Sequence, residues 1–291
     1  MTFSYKKVSV VVPNYNYGRF IKKRIKTILE QTYPIYELIV LDDASTDGSA
    51  DKLKEMVLDM KLENPKMRVR FEGNSDNSGK AMMQWKKGVE MTEGDFVWIA
   101  EADDLSSKRF LEEVMKAFDD PEVVLSYAES MIINGRGVIV APNFRWSRDK
   151  EKVGHFKQSY VKDGSDEIRE IMAIRCTIPN VSGVVFRKNA IKNKDFERAI
   201  KFSQVGDWYL YTKLLEGGKV SYNKKALNKF RIHAGSKTAA SKKENDHYEE
   251  VLWMHDYFRK KYELDEHVLQ AMVEEEKRIE KKHNIKKGKK R

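Results

Sequence analysis

The first 130 residues alternate short apolar runs with segments of helical periodicity, and this alternation restricts the fold more than any other feature of the sequence. The runs are continuously apolar, which is typical of strands buried on both faces of a parallel sheet. The intervening helices would cover those faces. We therefore predict an α/β fold with a mainly parallel sheet flanked by helices. The apolar runs lie at residues 8–12, 36–41, 69–71, 96–100 and 123–127, and the helical segments at residues 20–31, 49–60, 79–91 and 108–118.

The sequence changes character after about residue 130. Asn134 and Gly135 lie between two apolar runs and predict a β-hairpin. A predicted helix over residues 207–215 is followed by two glycines, which favour a C-terminal cap. From residue 241 onward the chain is charged and has helical character. We predict one domain over residues 1–240, divided near residue 130, and a helical extension over residues 241–291 with a basic tail.

Composition narrows the class of protein. Cys176 is the one cysteine among 291 residues, which excludes an intrachain disulfide framework and a four-cysteine zinc site. The longest stretches without Asp, Glu, Lys or Arg have eleven residues, whereas a membrane-spanning helix needs about 20 apolar residues. The first ten residues, MTFSYKKVSV, lack the apolar segment of a secretory signal. These features predict a cytoplasmic protein without a transmembrane helix.

The net charge of +10 is concentrated at the C-terminus. The segment from Lys281 to Arg291 has seven Lys or Arg residues and no acid, which leaves +3 for the other 280 residues. Because the basicity is a property of the tail, we expect no nucleic-acid partner. The tail is a candidate for peripheral contact with the anionic inner face of a membrane, at about 1 kcal/mol per basic residue. A solvated helix end is the alternative interpretation.

Polar clusters follow several of the predicted strands. PNYN begins at residue 13 and DDASTDG at residue 42, each directly after a strand, and EADD follows the strand at residues 96–100. NSGK, from residue 77, lies in the loop before a helix. One such cluster alone would be weak evidence, because Asp and Asn are common in turns and helix caps. Together they predict a ligand site at the carboxyl edge of the sheet, where open α/β sheets bind their ligands.

The EADD cluster concentrates negative charge. Glu101, Asp103 and Asp104 place three carboxylates within four residues, which is electrostatically costly unless a cation lies nearby. Oxygen ligands of this kind suit Mn²⁺ or Mg²⁺, which bind with help from substrate phosphates. A solvated acidic helix cap is the alternative. The cluster therefore indicates a divalent metal as cofactor.

Four segments in this order, VSVVVPNYN, LIVLDDASTDGS, NSGK and WIAEADD, resemble the motifs of family 2 glycosyltransferases with the GT-A fold. The resemblance extends over about residues 6–240 and is strongest over residues 8–118. It implies an inverting hexosyltransferase that uses a nucleotide sugar, with a UDP-sugar favoured. It further implies a glycan or lipid-linked glycan acceptor in surface polysaccharide synthesis. By this resemblance, residues 6–130 would bind the nucleotide and residues 131–240 would bind the acceptor.

The resemblance implies roles for individual donor-side residues. Pro13 and Tyr15 would line the nucleobase pocket, and Asp43 would hydrogen-bond the base. Glu101 occupies the place of the first Asp in the family's Asp-X-Asp motif, a departure from the commoner pattern. The metal would be bound by Asp103, Asp104 and His233. The other donor-side residues implied by the resemblance are Asn77, Gly79 and Lys80.

On the acceptor side, the segment Gly206-Asp207-Trp208 resembles the family's Glu-Asp segment, with Gly206 in the place of its Glu. The reaction needs one carboxylate that removes the proton of the attacking hydroxyl, and the resemblance assigns this role to Asp207. A first-turn Asp that interacts with the helix dipole is the alternative. The implied acceptor-side contacts are Ser182, Gly183 and Trp208.

Two other functions stay open at this point. A nucleotidyltransferase can use a similar sheet and metal, but such enzymes usually carry a glycine-rich basic loop after the first strand, where this chain has PNYNYGRF. A non-catalytic protein that binds polyanions or a membrane surface would depend on the basic tail instead of the acidic cluster.

Overall fold

A mixed sheet of ten strands forms the centre of the computed structural model, which describes residues 5–145, 154–235 and 244–282. The strand order is β3-β2-β1-β4-β9-β6-β10-β5, while β7 pairs with β6 and β8 pairs with β10. The strands are β1 (Val8–Asn14), β2 (Glu37–Asp42), β3 (Val69–Gly73), β4 (Phe96–Ile99), β5 (Leu105–Ser106), β6 (Val123–Asn134), β7 (Ile139–Ala141), β8 (Tyr160–Asp163), β9 (Val184–Arg187) and β10 (Lys219–Ile232).

Helices cover both faces of this sheet, as the continuous apolar strands predict. In β1, Val10 packs into one hydrophobic cluster and Val11 into the other, because neighbouring side chains of a strand point to opposite faces. The α-helices in the described ranges are α1 (Ile21–Leu29), α2 (Ser49–Glu63), α3 (Ala81–Met91), α4 (Phe110–Met115), α5 (Gly164–Glu167), α6 (Asn193–Ala199), α7 (Gly206–Leu215), α8 (Glu244–Lys261) and α9 (Glu266–Lys282).

The predicted α/β class is confirmed, with one refinement. The pairings among β3, β2, β1 and β4 are all parallel. Strand β9 lies antiparallel between β4 and β6, and β5, β7 and β8 are also antiparallel to their partners. The sheet is therefore parallel in its first half and mixed in its second half. The hairpin at Asn134-Gly135 is confirmed as the β6–β7 connection.

The C-terminal helices pack onto the sheet domain. Val251, Met254 and Phe258 of α8 are buried, as are Val268 and Met272 of α9. These side chains belong to the same hydrophobic cluster as the residues of one sheet face. The apolar stripes of the two helices therefore have a partner surface within the chain.

Two sequence expectations concern membranes. Within the described ranges, no helix has the length and apolar character needed to cross a bilayer. Lys281 and Lys282 end α9, and the rest of the basic tail lies outside the described residues.

Candidate active site

A cavity of about 510 Å³ opens at the carboxyl edge of the parallel strands. Parallel pairing brings the ends of β1, β2 and β4 to the same edge, since Asn14 pairs with Asp42 and Val11 pairs with Ile99. Seven of the predicted site residues line this one cavity: Pro13, Tyr15, Asp43, Glu101, Asp103, Asp104 and Asp207. The fold thus brings together residues that lie almost 200 positions apart in the sequence.

Asp43 is a buried carboxylate that organises its surroundings. Its Oδ1 accepts hydrogen bonds from the Asn74 side chain (2.7 Å), the Ser78 amide (2.9 Å) and the Gln84 side chain (2.8 Å). Its Oδ2 accepts from the Ser78 hydroxyl at 2.7 Å. These four hydrogen bonds fix the orientation of the Asp43 side chain at the cavity.

Asn77, Gly79 and Lys80 lie beside the large cavity. Asn77 donates to the Asp43 carbonyl (3.1 Å) and accepts from the Gly79 amide (2.6 Å). Gly79 has a φ of +76°, which favours glycine at this turn. Lys80 donates to the Ile200 carbonyl through its ammonium group. Gly79, Lys80 and Asp207 also line a second cavity of about 380 Å³.

The three carboxylates of the EADD cluster, which we call the acidic motif, lie in different environments. Glu101 accepts a hydrogen bond from the Trp85 indole at 2.6 Å. The Asp103 Oδ2 lies 3.0 Å from the His233 Nε2, although the two residues are 130 positions apart. The Asp103 and His233 side chains each keep 13% of their surface exposed, and Asp103 lines the large cavity.

Asp104 is buried in the wall of the large cavity. It is only 2% exposed, and its Oδ1 accepts a hydrogen bond from the Arg231 amide at 2.9 Å. Burial and the charge of Asp103 raise the pKa of Asp104 to about 7, although Arg24, Ser182 and Arg231 act in the opposite direction. The hydrogen bond from the Arg231 amide thus holds the Asp104 carboxyl in place at the cavity wall.

Among the described residues, no three His, Cys, Asp or Glu side chains are already arranged to hold an ion. Metal binding by Asp103, Asp104 and His233 therefore stays a prediction. Asp103 and His233 remain as an adjacent oxygen and nitrogen pair. Such a pair fits a divalent cation, because Mg²⁺ commonly takes few protein ligands and completes its shell with phosphate oxygens and water.

Arg24 lies behind the acidic motif and was missed by the sequence analysis. Its side chain is fully buried, and its guanidinium lies 5.0 Å from the centre of the Trp98 ring. Burial lowers the pKa of Arg24 to about 10, while the charges of Asp104, Glu101 and Asp103 oppose this effect. A cation on the apolar face of α1 was the available signal, since Arg24 shares that face with Ile21, Ile25 and Ile28.

Asp207 lies in the first turn of α7 and lines the same cavity. The surrounding protein removes most of its hydration, which raises the pKa of Asp207 to about 6, although the amides of Trp208 and Asp207 itself lower it. A carboxylate with a pKa near the working pH is suited to accept a proton. Gly206 precedes it because a Cβ there would lie 2.8 Å from the Ala199 carbonyl oxygen, which leaves little room for the Glu of the resembled segment.

Comparison with known proteins agrees with this geometry. The sequence model of glycosyl transferase family 2 matches residues 9–178, which is more than half of the chain. The chain belongs to glycosyl transferase family 2. The resemblance seen in its four sequence motifs is thereby confirmed.

Relatives and solved structures extend the comparison. Poly(ribitol-phosphate) β-N-acetylglucosaminyltransferase TarP of Staphylococcus aureus is 34% identical over 111 residues, which are 38% of this chain and 32% of TarP. The structure of S. aureus TarS 1–349 in complex with UDP-GlcNAc superposes with a TM-score of 0.67 at 20% identity, covering 92% of this chain and 72% of that one. The mannosyltransferase PcManGT from Pyrobaculum calidifontis, in complex with GDP-Man and Mn²⁺, gives 0.60 at 17% identity, covering 97% and 76%.

These similarities establish the GT-A fold. The chain spans less than half of the length of the first curated relatives that it matches, between 32% and 45%. The activity of the whole protein therefore has to be argued from its own site.

In this family 2 chain, the three predicted acceptor-side contacts lie behind the wall of the large cavity. Ser182 is fully buried, and its hydroxyl accepts a hydrogen bond from the Glu101 amide at 3.1 Å. The Gly183 amide donates to the Asn180 side chain at 3.0 Å. Trp208 is 3% exposed, and its indole donates to the Met172 carbonyl at 3.0 Å. The Ser182 hydroxyl, the Gly183 amide and the Trp208 indole thus have partners within the protein, and their role on the acceptor side stays a prediction.

Glu250 of α8 supports the loop before Asp207 and was also missed. Its carboxylate accepts hydrogen bonds from three consecutive amides, those of Ser203 (2.6 Å), Gln204 (2.7 Å) and Val205 (3.2 Å). These amides lie at the N-terminus of α7, where backbone donors have no partner within the helix. A helix of the C-terminal extension therefore fixes the segment that carries Asp207. No local sequence signal connects residues so far apart.

Proposed function

We propose that this chain is an inverting glycosyltransferase that moves a sugar from a nucleoside-diphosphate sugar to an acceptor hydroxyl. The observation that carries the proposal is one cavity with Asp43 and the acidic motif on one side and Asp207 on the other. Membership of glycosyl transferase family 2 supports the same reaction and argues against the alternative nucleotidyltransferase. A site with a nucleotide end and a proton-accepting end can bring both substrates together.

The donor would bind across residues 6–130. Tyr15 and Pro13 offer a flat apolar surface to the nucleobase, and Asp43 offers acceptor oxygens to its N–H groups. A UDP-sugar is the favoured donor, since TarS shares the fold and binds UDP-GlcNAc. Asn77, Gly79 and Lys80 would shape the neighbouring loop and the entrance from the second cavity.

Asp103 and His233 would hold the divalent cation, Mn²⁺ or Mg²⁺. Their nitrogen and oxygen atoms lie 3.0 Å apart at the cavity, and the fold neighbour PcManGT is known with Mn²⁺. When bound, such a cation supplies positive charge that stabilises a leaving diphosphate. Glu101, held by Trp85, would contact the donor beside this pair.

Asp207 would act as the general base. The acceptor oxygen forms a bond to the anomeric carbon as the bond from that carbon to the diphosphate oxygen breaks. The electron pair of the broken bond leaves with the nucleoside diphosphate, and the hydroxyl proton moves to the Asp207 carboxylate. Attack from the face opposite the leaving group inverts the anomeric centre in one displacement.

The acceptor would bind on the side formed by residues 131–240. A glycan or lipid-linked glycan of a cell-surface polymer is the proposed class, because the relatives include the teichuronic acid glycosyltransferase TuaG of Bacillus subtilis, named as putative, and TarP. Residues 241–291 would form a helical extension that supports this side. A cytoplasmic location with peripheral membrane contact through the basic tail suits such an acceptor.

The test is a nucleotide-binding panel followed by a transfer assay. UDP, GDP, dTDP, CDP and their sugars are added with and without Mn²⁺, and unfolding temperature is recorded. A ligand at a hundredfold excess over its Kd stabilises the folded state by about 2.7 kcal/mol. We expect one nucleotide class to raise the unfolding temperature, more so with Mn²⁺. Absence of any nucleotide effect would contradict the proposal.

A further inference from the structure

A separate basic pocket of about 350 Å³ lies beside the active-site cavity. It is formed by the segment that leads into α1, by the β6–β7 turn and by Arg231 of β10. Its lining consists of Arg19, Phe20, Lys23, Gly135, Arg136 and Arg231. Four of these six residues are cations, and none is acidic.

Three of the four cations of this pocket, Arg19, Lys23 and Arg136, are exposed, and the fourth, Arg231, lies close to the carboxylates of Asp103 and Asp104. In the described part of the chain, Arg19, Lys23 and Arg136 form no ion pair. Arg231 is 4% exposed, and its guanidinium donates to two carbonyl oxygens, those of Asp103 (2.6 Å) and Asn134 (3.0 Å). The Arg19 and Arg231 guanidinium carbons both lie against the Phe20 ring, at 5.5 and 4.7 Å from its centre. Like charges are thus held close together by packing.

The helix geometry adds to this positive potential. Arg19 and Lys23 lie at the N-terminus of α1, and the first turn of that helix has no acidic residue. Cations are unfavourable at a helix N-terminus, where the helix dipole already contributes positive charge. A local arrangement that breaks this rule without internal compensation is typical of a functional site.

The pocket adjoins the proposed reaction centre without being part of the donor cavity. Arg231 lines both spaces. The His233 ring lies 4.9 Å from the Phe20 ring, and the same histidine contacts Asp103. Phe20, Arg231 and His233 therefore separate the basic pocket from the place where the donor diphosphate would lie. An anion in the pocket would be additional to the two phosphates of the donor.

We infer that this basic pocket binds a phosphate group of the acceptor, so that the preferred acceptor is a phosphate-bearing glycan or polyol chain. A phosphate-bearing chain that crosses the active-site cavity would place one hydroxyl near Asp207 while a phosphate elsewhere on the chain occupies the pocket. Guanidinium and ammonium groups bind phosphate through charge-assisted hydrogen bonds. The inference rests on the proposed glycosyltransferase function and specifies its acceptor class.

The test uses the full chain and two probes, a six-unit glycerol-phosphate oligomer and a neutral oligosaccharide of similar length. The pocket variant is Lys23→Glu with Arg136→Glu. The control is Lys22→Glu with Lys26→Glu, which makes the same charge change on exposed residues of α1 outside the pocket. We expect the charged oligomer to bind the unchanged protein more tightly than the neutral one, and increasingly so at low salt. The pocket variant should lose at least about tenfold in affinity, the equivalent of about 1.4 kcal/mol, and the control should change little.

UDP affinity is measured in the same proteins and separates the two proposals. Unchanged UDP binding with lost oligomer binding supports the pocket as an acceptor site. An equal loss in both double variants would show general electrostatic attraction and overturn the inference. A loss of UDP affinity in the pocket variant would assign the pocket to the donor. Binding of anionic lipid vesicles, but not the oligomer, through Lys23 and Arg136 would also overturn it. Failure of every nucleotide to bind the unchanged protein would instead refute the proposed function.

Discussion

Replacing Asp207 with Asn should abolish transfer while making the protein more stable. The carboxylate lies in the cavity wall, where burial raises its pKa from 3.8 to about 6. A raised carboxylate pKa means that the folded protein binds this proton more tightly than the unfolded chain does. The ionised form therefore costs stability, and the cost grows as the pH rises from about 4 to about 6. The neutral amide of Asn avoids this cost and can still accept the Trp208 amide hydrogen bond.

The size of the effect follows from the pKa difference. A shift of about two units corresponds to about 3 kcal/mol at pH 8, because each unit is worth 1.36 kcal/mol. At pH 5 the same linkage gives about half of this free energy, since the carboxyl is then mostly protonated in the folded state. For a domain of this size, each kcal/mol corresponds to about 2–4 °C in unfolding temperature. The variant should therefore unfold at least about 6 °C higher at pH 8, with a smaller difference at pH 5.

The assay combines unfolding at pH 5 and pH 8 with UDP binding and sugar transfer. We expect UDP affinity to be retained and transfer to fall by orders of magnitude, because the proton acceptor is lost. In the unchanged protein, transfer should decrease as the pH falls through about 6. Asp51→Asn is the matched control, because Asp51 is an exposed first-turn residue of α2. Equal stability of the Asp207→Asn variant and the unchanged protein at both pH values, or undiminished transfer, would refute the reasoning.

Three further changes test other parts of the structure. Glu250→Gln should lower kcat by about tenfold with an unchanged KM for the donor, because three amides before α7 lose an ionised acceptor. The control is Glu249→Gln, which changes the exposed neighbouring residue. A change in the donor KM alone would contradict this prediction. Asp103→Ala should remove the effect of Mn²⁺ on UDP binding seen by thermal shift, and a persistent Mn²⁺ effect would exclude Asp103 as a ligand. Gly88→Ala should lower the free energy of unfolding by about 1–3 kcal/mol, because a Cβ would lie 2.3 Å from a Val11 methyl group. Chemical denaturation measures this free energy. An unchanged value would contradict the close packing of α3 on β1.

Much of the first half of the fold is predictable from local pattern. Continuous apolar runs indicate β1, β2 and β4, and the polar residues after them lie at the cavity because parallel strands end at one edge. The helices that cover the sheet follow from their apolar periodicity. The second half is less predictable. Strand β8 has few apolar residues, and β9 pairs antiparallel between β4 and β6, which depends on partners far away in the chain.

The roles of single residues divide in the same way. The motif resemblance assigned Glu101 to the donor and Asp103 and Asp104 to the metal, but the local sequence does not show which of these carboxylates are buried. Folding gives Asp103 a neighbour in His233 and gives Asp104 a buried hydrogen bond to Arg231. The pKa values of such groups depend on burial and on charges that lie nearby only in the folded state.

By itself, the sequence determined the α/β class, the order of most strands and helices, the family and the candidate residues, because these depend on side-chain periodicity and on short motifs. Tertiary structure alone decided that Ser182 and Trp208 are enclosed by protein, that Glu250 supports the Asp207 loop, and that a basic pocket lies next to the active-site cavity. Each of these features joins segments far apart in the chain. Their contacts arise from packing and long-range pairing, which no local pattern records.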